Sequence, residues 1–215
     1  IGPWSGKRVR GPVRVFDAQD RRGAAWRGWD RQMFQDRFKG RKAVSTGGAA
    51  GIGAGIADRI AAEGGSVLVW DLAVSATHDS RQIDVTDASA VDAAMAEDTP
   101  DILVCSAGIT GPNVTTWDYT TEDWLKVFDL NVNGLFYCNR AAARHMKGQG
   151  WGRIVNMASV AGKEGNPNAP AYSASKAAVI DVVLGFSPQS AATDTQHVDT
   201  ILRHAEDSEG PGGRS

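Results

Sequence analysis

The segment TGGAAGIG, Thr46–Gly53, constrains the fold more than any other stretch of this chain. It stands where KAVST, with the composition of a buried strand, gives way to GIGAGIADRIAAEGG, which has helical character and ends on Gly64 and Gly65. SVLVWDL then reads as a second strand, closing a strand-helix-strand unit. The alternation continues. RQIDV is a short strand, DASAVDAAMAED an amphipathic helix, and DILVCSAG a near-continuous apolar strand of the kind buried in parallel sheets. Thr121, Glu122 and Asp123 start a helix that Leu125, Phe128, Val132 and Leu135 carry on at three- and four-residue spacing. GRIVNMAS follows as a strand and AYSASKAAVIDVVLG as a helix. This order predicts an α/β fold: a doubly wound parallel sheet with helices on both faces.

Composition narrows the function classes. A hydrophobic content of 42% suits an ordinary globular protein, and a net charge of −2 argues against a strongly basic nucleic-acid binder. No apolar run approaches the roughly 18 residues of a membrane span, so neither nucleic acid nor membrane is an expected partner. The two cysteines, Cys105 and Cys138, lie in apolar segments and read as small buried hydrophobes; they suit a reducing compartment, and a cytoplasmic location is expected. His78, His145, His197 and His204 show no ligand spacing, and no metal site is expected. Residues 1–32 lack a sustained period, and residues 1–31 carry eight basic against three acidic side chains; a disordered extension is expected there. Residues 33–186 form the expected domain, and 187–215 an atypical, partly disordered tail.

At a strand-to-helix turn, bare backbone N–H groups and the positive helix end can hold a pyrophosphate. Gly47, Gly51 and Gly53 lack side chains that would block its approach. Asp71 closes the second strand at close to the roughly 20-residue offset of an acid that accepts hydrogen bonds from ribose hydroxyls. A 2'-phosphate would be repelled there, and no basic residue lies in the turn or directly after Asp71, so NAD is favoured over NADP.

The ordered motifs TGGAAGIG, IDV (Ile83–Val85), CSAG (Cys105–Gly108), NVNG (Asn131–Gly134), ASVAG (Ala158–Gly162) and YSASK make residues 33–180 resemble the short-chain dehydrogenase/reductase family. The resemblance implies a Rossmann-like fold and cofactor contacts from Gly47, Gly51, Ile52, Gly53, Asp71, Asp84, Val85, Ala107 and Gly108, together with Tyr172 and Lys176. CSAG departs from the family's usual NNAG, with Cys105 and Ser106 in place of two asparagines. Related enzymes often pair through the helices carrying Asn131 and Tyr172, so a homo-oligomer is implied.

The catalytic chemistry follows from the residue types. A tyrosine is a poor acid-base catalyst near neutrality, with an ordinary pKa of about 10. A neighbouring ammonium favours its phenolate. Four-residue spacing puts Tyr172 and Lys176 on one helix face, where Lys176 acts on Tyr172 and reaches a ribose hydroxyl. Ser159, at the end of its strand, can orient the substrate oxygen. Asn131 matches the asparagine that holds a water leading from the lysine to solvent in the resembling enzymes. The expected catalytic set is Asn131, Ser159, Tyr172 and Lys176.

Past the tyrosine helix the resemblance fades. Ser187–Thr200 shows no apolar strand run and HVDTILRHAED reads as a short helix, so the last family strands are expected to be missing and GRIVNMAS to be an exposed sheet edge. Two readings follow. One is an NAD(P)-dependent oxidoreductase interconverting a secondary alcohol and a ketone on a small-molecule substrate of sugar, polyol or 3-oxoacyl type. The other is a non-catalytic protein that binds a dinucleotide or a partner subunit.

Overall fold

The computed structural model describes residues 35–190 and 198–201, with side-chain placement as far as residue 182. The extension expected over residues 1–32 and most of the tail lie outside the described residues. The elements run β1 (Lys42–Thr46), α1 (Gly51–Ala62), β2 (Ser66–Asp71), β3 (Asp79–Gln82), α2 (Ala88–Asp98), β4 (Ile102–Cys105) and a short 3-10 turn (Thr116–Asp118). Next come α3 (Thr121–Phe128), a π-helical turn (Asp129–Gly134), α4 (Leu135–Gln149), β5 (Arg153–Met157), α5 (Ala161–Glu164), α6 (Pro170–Ser190) and β6 (Val198–Ile201).

All strand pairs are parallel, in the order β3-β2-β1-β4-β5-β6. The chain leaves β1 in one direction and resumes at β4 on its other side, so the carboxyl ends of β1 and β4 flank a crevice, the place where open α/β sheets bind ligands. Side chains alternate between the faces. Val44, Leu103, Cys105 and Ile154 meet Val91 of α2, Cys138 and Met146 of α4, and Val179 of α6. On the other face Ala43, Ile102 and Val104 pack with Ile60 of α1. Trp70 of β2 is fully buried because its indole N–H finds an acceptor, donating to Asp98 Oδ2 at 2.8 Å.

Two expectations are corrected. The helix that begins at Thr121 is not a uniform α-helix: a π turn separates α3 from α4, with Asn131 and Gly134 buried inside it. Nor is β5 the sheet edge. Val198–Ile201 is a strand, not part of a helix, and it pairs with β5 in parallel register from Ile154↔Val198 to Met157↔Ile201. VDTI has no apolar run, yet three of its four residues are β-branched, the composition that suits a pleated ribbon. Helix α6 is the crossover that makes this pairing reachable.

Candidate active site

The glycine turn is held by close backbone approach. Gly47 donates its N–H to Trp70 O at 2.8 Å and has φ +62°; a Cβ there would stand 2.7 Å from Ala107 Cα. A Cβ on Gly53 would stand 2.4 Å from Gly47 O, so the first turn of α1 lies directly on the loop. Gly51, by contrast, has open space where a Cβ would be. The N-terminus of α1 has no side-chain cap and no acidic residue in its first turn. An uncapped helix end beside bare glycine backbone fits a pyrophosphate.

A cavity of about 420 Å³ runs from this turn to the ends of β2 and β4. It brings together Gly47, Gly51, Ile52, Asp71, Asp84, Val85, Ala107 and Gly108. Gly53 lies buried behind the turn, and Tyr172 and Lys176 do not line this cavity. Asp71 accepts from Ala49 N at 3.1 Å through Oδ2 and from Ala73 N at 3.0 Å through Oδ1, so it braces the glycine loop. Each carboxylate oxygen keeps a second lone pair for a ligand hydroxyl. Asp84 accepts from Thr86 N and Thr86 Oγ1 at 2.9 and 2.7 Å. Thr46, which the motif reading passed over, accepts from both Ser106 N and Ala107 N at 3.2 Å and ties β1 to the segment after β4. Its place at the end of a strand, just before the glycines, was the available signal.

Around Gly108 the remaining candidates converge. A Cβ on Gly108 would lie 3.0 Å from Asn131 Oδ1 and 3.7 Å from Lys176 Nζ. The Asn131 amide uses both of its donors and one acceptor position: Oδ1 accepts from Ile109 N and Nδ2 donates to Ile109 O, both at 2.9 Å, while Nδ2 also donates to Ser175 Oγ at 3.0 Å. Ser175 in turn donates to Tyr172 O at 2.7 Å. Asn131 thereby pins the loop after β4 to the helix carrying Tyr172, and Ser175 is a second residue that sequence reasoning missed.

Lys176 is buried, and its Nζ donates to Met157 O at 2.7 Å, 5.7 Å from the centre of the Tyr172 ring. Burial pushes its pKa down to about 8, against a smaller opposing contribution from Cys105. Ser159 follows β5 and accepts from Ala161 N at 3.2 Å. The α5 segment after it packs hard against α6: a Cβ on Gly162 would lie 2.6 Å from the Lys176 carbonyl carbon. Tyr172 is half-buried, and no hydrogen bond joins it to Ser159 among the described residues. The same residues include no group of three or more histidine, cysteine or acidic side chains placed to hold a metal ion, and no helix long and apolar enough to cross a membrane.

The parallel sheet, the glycine turn at its switch point and the crevice beside it define a Rossmann-like protein. Its sequence narrows this further. The chain belongs to the short chain dehydrogenase family, whose pattern matches residues 41–198 and so runs past the point where the motifs fade. It is similar to a 2-dehydro-3-deoxy-L-rhamnonate dehydrogenase (NAD(+)) of Sphingomonas sp. (strain SKA58), 52% identical over 163 residues. That match covers 69% of this chain and 65% of the relative, so the chain spans just under two thirds of that protein's length. A galactitol 2-dehydrogenase of Rhizobium johnstonii is 35% identical over 168 residues, covering 68% of this chain and 65% of that protein. Among solved structures, an NAD+-bound xylitol dehydrogenase superposes with a TM-score of 0.73 at 31% identity, covering 77% of this chain and 70% of the other.

Proposed function

We propose that this chain is an NAD-dependent dehydrogenase that interconverts a secondary alcohol and a ketone on a sugar acid or polyol. The observation that carries this reading is the fixed lysine: Lys176 Nζ, anchored on Met157 O, stands beneath Gly108 and one helical turn from Tyr172. Relatives named for a deoxy sugar acid and for polyols support the substrate class.

In this reading Tyr172 Oη takes the hydroxyl proton of the alcohol, and the Lys176 ammonium stabilises the phenolate from which it starts. Ser159 Oγ donates to the substrate oxygen and holds the reacting carbon in line. Asn131 positions rather than reacts, since its amide is committed to Ile109 and Ser175. The nicotinamide, when bound, supplies the hydride acceptor. Gly47, Gly51, Ile52 and the first turn of α1 would hold its pyrophosphate, with Gly53 letting α1 approach; Asp71 would hold the adenosine ribose, and Asp84, Val85, Ala107 and Gly108 would line the groove. Asp71 favours NAD because a 2'-phosphate would meet its carboxylate. The working form is a homo-oligomer paired through the helical stretches that carry Asn131 and Tyr172.

NAD reduction by the purified chain, measured across sugar acids and polyols, tests the reading. Tyr172→Phe should lower kcat by at least about 100-fold, the usual worth of a general base. Equal rates for the two proteins would remove Tyr172 from the mechanism. NAD binding with no turnover in either would leave a dinucleotide-binding protein.

A further inference from the structure

On the sheet face covered by α2, α4 and α6, the ends of β4 and β5 carry polar side chains within an otherwise apolar layer. Cys105 and Asn156 are neighbours across the β4–β5 pair, and both are buried, Asn156 completely. Helix α4 presents Cys138 and Asn139 there, also buried. The Cys105 thiol donates to Asn139 Oδ1 at 3.5 Å and lies against the Cys138 thiol. Asn139 Nδ2 and both amide atoms of Asn156 have no protein partner. Buried amides are nearly always hydrogen-bonded, and leaving one unmet is costly. Two donors and one acceptor around a short thiol are what an internal water needs. The thiol stands where the family's usual NNAG has its first asparagine.

This cluster adjoins Lys176. Lys176 Nζ holds the carbonyl of Met157, the residue after Asn156. Val179, on the next turn of α6, packs in the same cluster as Cys105 and Cys138. Cys105 and Lys176 also interact electrostatically. We infer that the ends of β4 and β5 and the facing turn of α4 enclose an internal water site that hydrates Lys176 from the core side, with Asn139 and Asn156 as its positioning residues. The functional half rests on the proposed role of Lys176; the water site itself does not.

An ammonium loses its charged form as polar neighbours are removed. Among the described residues, the ionisable groups facing Lys176 are Tyr172 on its own helix and Cys105 at the end of β4, with Cys138 of α4 behind it, while Lys163 and Glu164 of α5, which packs on the Lys176 backbone, are exposed. From β5 comes the Met157 carbonyl and from the π turn the Asn131 amide, neither of which titrates. The water site therefore keeps the ammonium populated toward alkaline pH.

A high-resolution crystal structure of the full chain tests the site without any need for turnover. Ordered water within about 3.2 Å of the Asn139 and Asn156 amides is the expected result, and a dry cluster overturns the inference. The functional half is read from the pH profile of alcohol oxidation. Asn156→Leu keeps the shape and removes the polar atoms, and its alkaline limb should move down by about half to one pH unit. Asn139→Leu should move it the same way and serves if Asn156→Leu does not fold. Folded variants with an unmoved limb, beside an active wild type, would overturn the role for Lys176. An inactive wild type with water in place would count against the dehydrogenase reading and not against the site.

Discussion

Lys176 is subject to opposing demands at the scale of a single residue. The proposed chemistry requires the ammonium, while its burial disfavours it and brings the pKa to about 8. In the unfolded chain a lysine titrates near 10.4. Between about pH 8 and 10.4 the unfolded state therefore binds more protons than the folded one, and stability rises with pH across that window. Below about pH 8 the cost of the buried charge is present in full. Lys176→Met removes it, so wild-type stability relative to the variant should rise by up to about 3 kcal/mol between pH 7 and 10.5. Denaturant unfolding of both proteins across that range measures this, and a pH-independent difference would contradict it. The pairing of Tyr172 with Lys176 was legible because helical spacing alone puts them on one face. The commitment of Asn131 to Ile109 was not, because the partner is a backbone that only the folded sheet brings near.

Elements were legible where composition and period agreed and less so where tertiary contacts decided. The turn around Asn131 reads as ordinary helix by period, yet it widens to a π turn where the asparagine reaches back to the loop after β4. Gly134 closes the same turn, for a Cβ there would stand 3.0 Å from the Val85 side chain. Strand β6 was hidden for a different reason: a four-residue strand with a central aspartate has no apolar signature, and its pairing with β5 is set by the crossover through α6. Helices α3 and α4 also leave Leu125 and Phe136 exposed, at 60% and 41%. Exposed singly, such residues need no explanation, but Phe136, on α4, accords with the proposed pairing between copies. Phe136→Glu would place a charge in that contact. Light scattering should give an oligomer for the wild type and a smaller species for the variant; a monomeric wild type would remove the pairing.

For the whole molecule, the strand order β3-β2-β1-β4-β5-β6 puts Asp71, the glycine turn and Gly108 along one crevice. Every strand points its carboxyl end the same way, so residues far apart in sequence converge without any one contact arranging them. A ligand spanning that crevice touches the loops after β1, β2 and β4 at once, and its binding energy is felt by the fold as a unit. Ligand at 100 times its Kd adds about 2.7 kcal/mol of stability. For a chain of this size that corresponds to a rise in Tm of roughly 5–10 °C. In the proposed reading NAD should produce this rise, and NADP at the same concentration a much smaller one, because the carboxylate of Asp71 would repel a 2'-phosphate. Asp71→Ala should reduce the difference between the two cofactors along with the NAD shift itself, since Asp71 also braces the glycine loop through Ala49 N. Equal shifts from NAD and NADP in the wild type would show that Asp71 does not select the cofactor. A shift with NAD but no turnover on any alcohol would locate the defect beyond the crevice, among Ser159, Tyr172 and whatever covers them.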